Sequence, residues 1–328
     1  MIKAAHSPVR CGIVLAAGEG KRVRPFIHRV RGESLPKQYV NFIGTRSMLE
    51  HTFHRAEKLI PPDRLFTVVS LDHLEYPEAG RQLMDRPKGT VILQPENKET
   101  APGLLLPLMH LYKRYPESVV VIFPSDHFIV EEDLFMGHVD LACRIVERDP
   151  SCLLLLGIDP YGPETEYGYI VPGRYAKHAA VPSVREVLEF VEKPRIDLAH
   201  RLVQMEGLWN TMVMVFRAET LLNLAIKILP SLTLPFKRIL EAIGSAREME
   251  VVQEIYQHLQ PVNFSSGLLE DLPTRFPAHI NVLPVREVFW SDWGSEQRIV
   301  EDLRRTGHLG PTEYIPKEMH RLAESVPN

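Results

Sequence analysis

Short apolar runs alternate with helical patterns over residues 11–158, and that alternation constrains the fold more than any other feature of the chain. Residues 11–17 (CGIVLAA), 65–70, 90–93, 118–123 (SVVVIF) and 152–158 (CLLLLGI) are strand-length and apolar on both faces. Between them, residues 47–60, 102–115 and 132–148 carry apolar positions at helical intervals. Ser47 and Glu50 have capping-box spacing, and Pro102 suits a first helical turn. Strands that bury both faces need helices on both sides, and βαβ crossovers supply them. The expectation is an α/β protein with a mostly parallel sheet covered on both faces.

The second half is less regular. Strands are expected at 184–191, at 211–216 and within 275–285. Helices are expected at 218–229, 235–243 and 248–259, with a functional turn at 288–294. From His308 onward the chain is polar and contains Pro311, Pro316 and Pro327, which suggests a surface tail.

The 328 residues suffice for one large α/β domain and a smaller appendage. Net charge is −4, whereas a general nucleic-acid binder is normally basic, so no nucleic-acid partner is expected and phosphate recognition must be local. Cys11, Cys143 and Cys152 form no C-x-x-C, which weighs against a disulfide framework or zinc site and suits a reducing compartment. No long apolar run precedes Cys11, and no stretch approaches the roughly 20 apolar residues of a membrane helix. A cytoplasmic enzyme or binding protein without membrane attachment is the expectation.

Four loops carry chemistry. The first follows the opening strand and contains Gly18 and Gly20. Glycines let a backbone approach an anion closely. From Lys21 to Lys37 the cations Lys21, Arg22, Arg24, Arg29, Arg31 and Lys37 face a single acid, Glu33. In a chain acidic overall, that imbalance marks a polyphosphate site. The P-loop pattern is absent, and Val23 stands where a dinucleotide fingerprint needs its third glycine. A tight turn with a solvated basic flank is the competing reading.

The second loop, Phe123-Pro124-Ser125-Asp126-His127, puts Asp126 just past the end of an apolar strand, where open parallel sheets place ligands. A carboxylate there can hold Mg²⁺ and leave positions for phosphate oxygens, or it can cap the next helix. The third, Phe289 to Gly294, carries Asp292 in an aromatic-flanked turn, as a second metal ligand or as a plain turn residue. The fourth, Phe190 to Pro194, offers Glu192 to a sugar hydroxyl and Lys193 to a phosphate; an exposed ion pair is the alternative.

Together these motifs resemble the sugar-phosphate nucleotidyltransferases, and within them the mannose-1-phosphate guanylyltransferase branch. The resemblance covers residues 11–295. It is carried by Gly18-x-Gly20-x-Arg22 with Pro25, Pro36-Lys37-Gln38, Asn97 to Pro102 (NKETAP), and Pro124-Ser125-Asp126-His127. Further on it is carried by Tyr167-Gly168-Tyr169-Ile170, Phe190 to Pro194 (FVEKP), Trp209-Asn210, and Trp290-Ser291-Asp292-x-Gly294.

The resemblance implies a Rossmann-like, glycosyltransferase-A-like nucleotidyltransferase fold: a mixed, mostly parallel sheet with helices on both faces and a small C-terminal helical appendage. It implies a catalytic domain over 1–295, with a nucleotide part to about residue 160 and a sugar part after it. A C-terminal helix and irregular tail would occupy 296–328. The implied substrates are a nucleoside triphosphate, GTP in this branch, and mannose 1-phosphate. Pyrophosphate is released and Mg²⁺ is the cofactor; a homodimer is allowed.

Arg22 would hold the β- and γ-phosphates, Lys37 would lie near the α-phosphate, and Asp126 and Asp292 would bind Mg²⁺. Ala16, Ala17, Gly18, Gly20, Lys21, Gln94, Asn97, Thr100, Ala101 and Pro102 would face the nucleotide. Gly168, Tyr169, Glu192, Lys193, Asn210 and Ser265 would face the sugar phosphate. Lys21, Ala17, Glu99, Met212 and Ser265 depart from the family's usual residues at their positions, which leaves open another hexose 1-phosphate or another triphosphate. A non-catalytic sugar-nucleotide sensor on the same fold is the reading from a different class.

Overall fold

The computed structural model describes residues 8–176 and 183–308. The strands are β1 (Arg10–Leu15), β2 (Leu65–Ser70), β3 (Val91–Gln94), β4 (Val119–Pro124), β5 (Phe128–Ile129), β6 (Leu153–Ile158), β7 (Tyr169–Tyr175), β8 (Arg185–Val191), β9 (Leu208–Arg217), β10 (Ile280–Val285) and β11 (Trp290–Ser291). The helices are α1 (Arg24–Arg31), α2 (Met48–Ala56), α3 (Pro77–Leu83), α4 (Thr100–Arg114), α5 (Glu132–Arg148), α6 (Ile196–Gln204), α7 (Ala218–Ile228), α8 (Pro230–Ala242), α9 (Glu248–His258), α10 (Leu272–Arg275) and α11 (Glu296–Arg305).

Nine strands form one sheet in the order β3-β2-β1-β4-β9-β6-β10-β8-β7, while β5 and β11 make a separate two-stranded ribbon. Strands β1 to β4 run parallel, as do β6 and β10. β9 enters antiparallel between β4 and β6, which makes the sheet mixed as expected. Successive side chains of β1 point to opposite faces and feed two cores. Cys11 and Ile13 pack with α4, α7, α8 and α9, while Val14 packs with α2, α3, α5 and α6.

A third core joins the basic segment to the chain's last described helix. Phe26 and Ile27 of α1 pack with Trp293 and with Ile299 and Leu303 of α11. The helix expected after residue 295 is present as α11 and packs on α1 through this core. The proline-containing tail after His308 lies outside the described residues.

The Ser47 capping box is formed, with Ser47 Oγ accepting the Glu50 N–H at 3.1 Å and Glu50 accepting the Ser47 N–H at 2.6 Å. The helix it starts ends at Ala56, short of the expected residue 60. α1 was not expected, because its three arginines interrupt the apolar pattern; Pro25 opens it and Gly32, at φ +75°, closes it. The helix expected from residue 235 starts at Pro230, so Pro235 lies inside it. The capping alternative for Asp126 is overturned: β5 follows it, and α5 begins only at Glu132 behind Glu131.

Candidate active site

The glycine loop is shaped from behind by the segment after α1. Pro36 is extended and starts a 3-10 turn over Lys37–Tyr39 whose side chains are buried. Gln38 Nε2 donates to the carbonyls of Ala16 (2.8 Å) and Gly18 (2.9 Å), pinning the loop. Gly20 has φ +59°, and a Cβ there would lie 3.2 Å from Lys37 N. The left-handed backbone and the close approach together favour glycine here.

Lys37 then reaches across the sheet edge. Its ammonium lies 2.9 Å from Asp126 Oδ2, with the lysine side chain 4% exposed and the aspartate 39%. It also donates to the carbonyls of Asp292 and Trp293. Pro124 pairs with Leu15 in the β1–β4 ladder, so Asp126 projects beside the glycine loop. The ribbon brings in Asp292, because Ser291 pairs with Phe128. Two aspartates far apart in sequence thus meet around one lysine.

The Asp292 carboxyl is half-buried, and desolvation would raise its pKa, but Lys37 and then Arg298 outweigh it and hold the carboxyl below the usual carboxylate range. His127 is driven the other way by burial, down to about 4, so it is neutral at neutral pH. Its Nδ1 accepts the Trp290 indole N–H at 3.1 Å, which leaves the proton on Nε2.

A cleft of about 540 Å³ is lined by Gly20, Lys21, Arg22, Lys37, Asp126 and Asp292, among others. Arg22 pairs with Glu166 at its rim. Lys21 pairs with Glu19 at 3.0 Å. Two carboxylates facing several cations fit a small hard cation that keeps phosphate oxygens among its ligands. Among the described residues no cluster of three or more His, Cys, Asp or Glu makes a complete cage, so the donor set would be finished by a ligand.

A smaller cavity of about 210 Å³ adjoins it, lined by Ala17, Gly18, Gln94, Asn97, Thr100 and Gly103. Gln94 is buried and its Oε1 has no hydrogen-bond partner among the described residues. Thr100 Oγ1 accepts the Phe264 N–H at 2.8 Å. Ala16, Ala101 and Pro102 are buried; the Ala101 N–H bonds Val262 O (3.0 Å) and the Pro102 carbonyl accepts the Tyr256 hydroxyl (3.3 Å).

The expected sugar residues form a third group. Gly168 O accepts the Asn210 N–H at 2.8 Å, and a Cβ at Gly168 would strike Glu192 Oε2 at 2.7 Å. Burial raises the Glu192 carboxyl, opposed by Lys193 and a hydrogen bond from Ser265. Lys193 is exposed, at φ +46°. Tyr169 is buried, its hydroxyl accepts the Glu164 N–H at 2.7 Å, and it pairs with Val191 and Trp209 in the sheet. Met212, at φ +55°, places its sulfur 3.4 Å from Ser265 Oγ.

Sequence reasoning missed Glu166, which pairs with Arg22, Arg298, which pairs with Asp292 six residues before it, and Glu164, which pairs with Arg298. A signal existed for Arg298 alone: Ser295 caps α11 and accepts the Arg298 N–H at 3.3 Å, which puts Arg298 in the first turn beside Asp292.

The nucleotidyl transferase family model matches residues 11–306. A mannose-1-phosphate guanylyltransferase of Escherichia coli is 28% identical over 214 residues, 64% of this chain and 45% of that protein. The xanthan biosynthesis protein XanB of Xanthomonas campestris pv. campestris is 30% identical over 221 residues, 67% of this chain and 44% of that protein. The chain spans a little under half the length of these relatives. A solved structure described as a mannose-1-phosphate geranyltransferase from Thermus thermophilus is similar at a TM-score of 0.73 and 25% identity, over 93% of this chain and 81% of that one. A UDP-glucose pyrophosphorylase complexed with UDP-glucose shares the fold, at a TM-score of 0.53 and 14% identity over 92% of this chain and 99% of that one. No helix among the described residues is long and apolar enough to cross a membrane. Glycine loop, paired aspartates and family match converge, and the chain belongs to the nucleotidyl transferase family.

Proposed function

We propose that this protein transfers GMP from GTP to mannose 1-phosphate, giving GDP-mannose and pyrophosphate, in the cytoplasm and with Mg²⁺. The observation that carries the reading is the junction of Lys37 with Asp126 and the Asp292 carbonyl, beside Arg22. Such a cluster suits a reaction whose main difficulty is bringing two polyanions together. The names of the curated relatives support the choice of mannose 1-phosphate and a guanylyl group.

A phosphate oxygen of the sugar 1-phosphate attacks the α-phosphorus in line. The bond from the α-phosphorus to the bridging oxygen breaks, and pyrophosphate leaves with that electron pair. Arg22 and Lys21 grip the β- and γ-phosphates, which draws them from Glu166 and Glu19. Lys37 lies near the α-phosphate, where negative charge builds. Lys193 holds the sugar phosphate, and Glu192 and Asn210 hold sugar hydroxyls. Mg²⁺, held by Asp126 and Asp292, supplies further positive charge to the phosphate oxygens when bound. A general base has no task, because the attacking phosphate is already an anion.

The unpartnered Gln94 Oε1 supports a base that presents a ring N–H, as guanine does. A second reading keeps the reaction and changes the sugar. It is favoured by Met212, a side chain in left-handed backbone whose sulfur rests on Ser265 within the expected sugar group. Pyrophosphate release measured over four nucleoside triphosphates and several hexose 1-phosphates tests both readings. The highest kcat/KM is expected for GTP with mannose 1-phosphate. Preference for another pair would replace this assignment, and no release with any pair would favour a sensor.

A further inference from the structure

The two oxygens of Asp292 are used unequally. Oδ1 accepts the Tyr167 hydroxyl at 3.0 Å, the Gly294 N–H at 2.9 Å and Arg298 Nη1 at 2.5 Å. Among the described residues Oδ2 accepts no hydrogen bond. It lies toward the triphosphate cleft: a Cβ at Gly294 would sit 2.7 Å from Oδ2 and 3.0 Å from Arg22 Nη2.

Arg298 is itself held from three sides. Its other terminal nitrogen pairs with Glu164, its side chain is 12% exposed, and its guanidinium lies 4.6 Å from the centre of the Tyr167 ring. Glu164 is fixed in turn, since its Oε1 accepts the N–H groups of Thr165 (2.8 Å) and Glu166 (3.0 Å). The Ser295 cap sets the first turn of α11 from which Arg298 projects.

We propose that Arg298 is a positioning residue for the reaction: with Tyr167 it locks Oδ1 of Asp292 and leaves Oδ2 alone to the divalent cation. This rests on the proposed role of Asp292 as a cation ligand. Mg²⁺ demands near-octahedral geometry, so a carboxylate fixed to offer one oxygen is better placed than one free to rotate. Outer-shell partners of this kind are typically worth about 10–100-fold in metal affinity. Simple electrostatics opposes the effect, because a guanidinium near the carboxylate repels a second cation. The two effects differ in sign, so one measurement separates them.

The experiment is Mn²⁺ titration followed by EPR, on the whole protein with saturating GTP, for wild type, Asp292→Asn, Arg298→Met, Arg298→Lys and Tyr167→Phe. Thermal melts identify folded variants; if Arg298→Met fails to fold, Arg298→Lys carries the test. We expect Asp292→Asn to weaken Mn²⁺ strongly, Arg298→Met to weaken it about 10-fold or more, and Arg298→Lys and Tyr167→Phe to weaken it less. The Mg²⁺ concentration for half-maximal pyrophosphate release should move in the same order. Unchanged or tighter Mn²⁺ binding in folded Arg298 variants, with Asp292→Asn still weak, would overturn the positioning role alone. Equal affinity in wild type and Asp292→Asn would remove the cation-ligand reading and this inference with it.

Discussion

Lys37 lies 2.9 Å from Asp126 through its ammonium while that same group donates to the main-chain carbonyl of Asp292. One buried side chain therefore ties the Asp126 carboxylate to the main chain of Asp292, across segments far apart in sequence. On the proposed mechanism, removing it costs both the charge near the α-phosphate and this tie between the two segments.

Lys37→Met should lower kcat by about 10²–10³, the scale of one lost preorganised electrostatic group. Steady-state pyrophosphate release checks this, and turnover within a few-fold of wild type would place Lys37 outside the reaction. Arginine should not restore the rate, because a planar fork cannot replace a point charge in so enclosed a site.

Gly20→Ala should destabilise the fold by about 1–2 kcal/mol, since the residue has φ +59° and its new methyl would press on Lys37 N at 3.2 Å. The same substitution at Gly18, where a Cβ would meet nothing within 4 Å, should cost less. Denaturant unfolding of the two variants compares them directly.

Asp302 of α11 is buried, and one of its oxygens has no hydrogen-bond partner among the described residues. Burial raises its pKa from 3.8 to about 6 against the pull of Ser291 and Arg298. A carboxyl with a raised folded-state pKa adds most stability below its unfolded value and loses that contribution as pH rises through about 6. Asp302→Asn should therefore stabilise the protein by about 1–3 kcal/mol at pH 8 relative to its effect at pH 4. Thermal melts at the two pH values test the sign, and a shift independent of pH would contradict it.

Gln94→Ala should raise the KM for GTP about 5-fold, the worth of one hydrogen bond, with little change in KM for the sugar phosphate. Kinetics with each substrate varied in turn separate the two constants. An unchanged KM for GTP would remove Gln94 from base recognition.

Much of the frame was legible in the sequence because its signals are local. β1, β4 and β6 announce themselves as doubly apolar runs, and Ser47 marks its helix by a short-range hydrogen bond. Asp126 and Asp292 stood out through their positions after apolar segments. Their pairing was implied by the family resemblance and by no local pattern, because it depends on a two-residue ribbon, β5 with β11, and on a lysine from a 3-10 turn. α1 was hidden because its cations mask a two-residue apolar face, Phe26 and Ile27, whose partner helix α11 lies at the other end of the chain. Arg298, Glu164 and Glu166 act through partners more than a hundred residues away or across a helix cap, and no periodicity reports such pairs.

The most direct test of the account is anomalous diffraction from crystals grown with GTP and Mn²⁺, a metal that shares the oxygen ligands and octahedral preference of Mg²⁺. The account predicts one strong Mn²⁺ peak ligated by Asp126 and Asp292 together, with triphosphate oxygens completing its shell. A metal bound away from either aspartate, or a triphosphate seated outside the cleft of Gly20, Arg22 and Lys37, would contradict it.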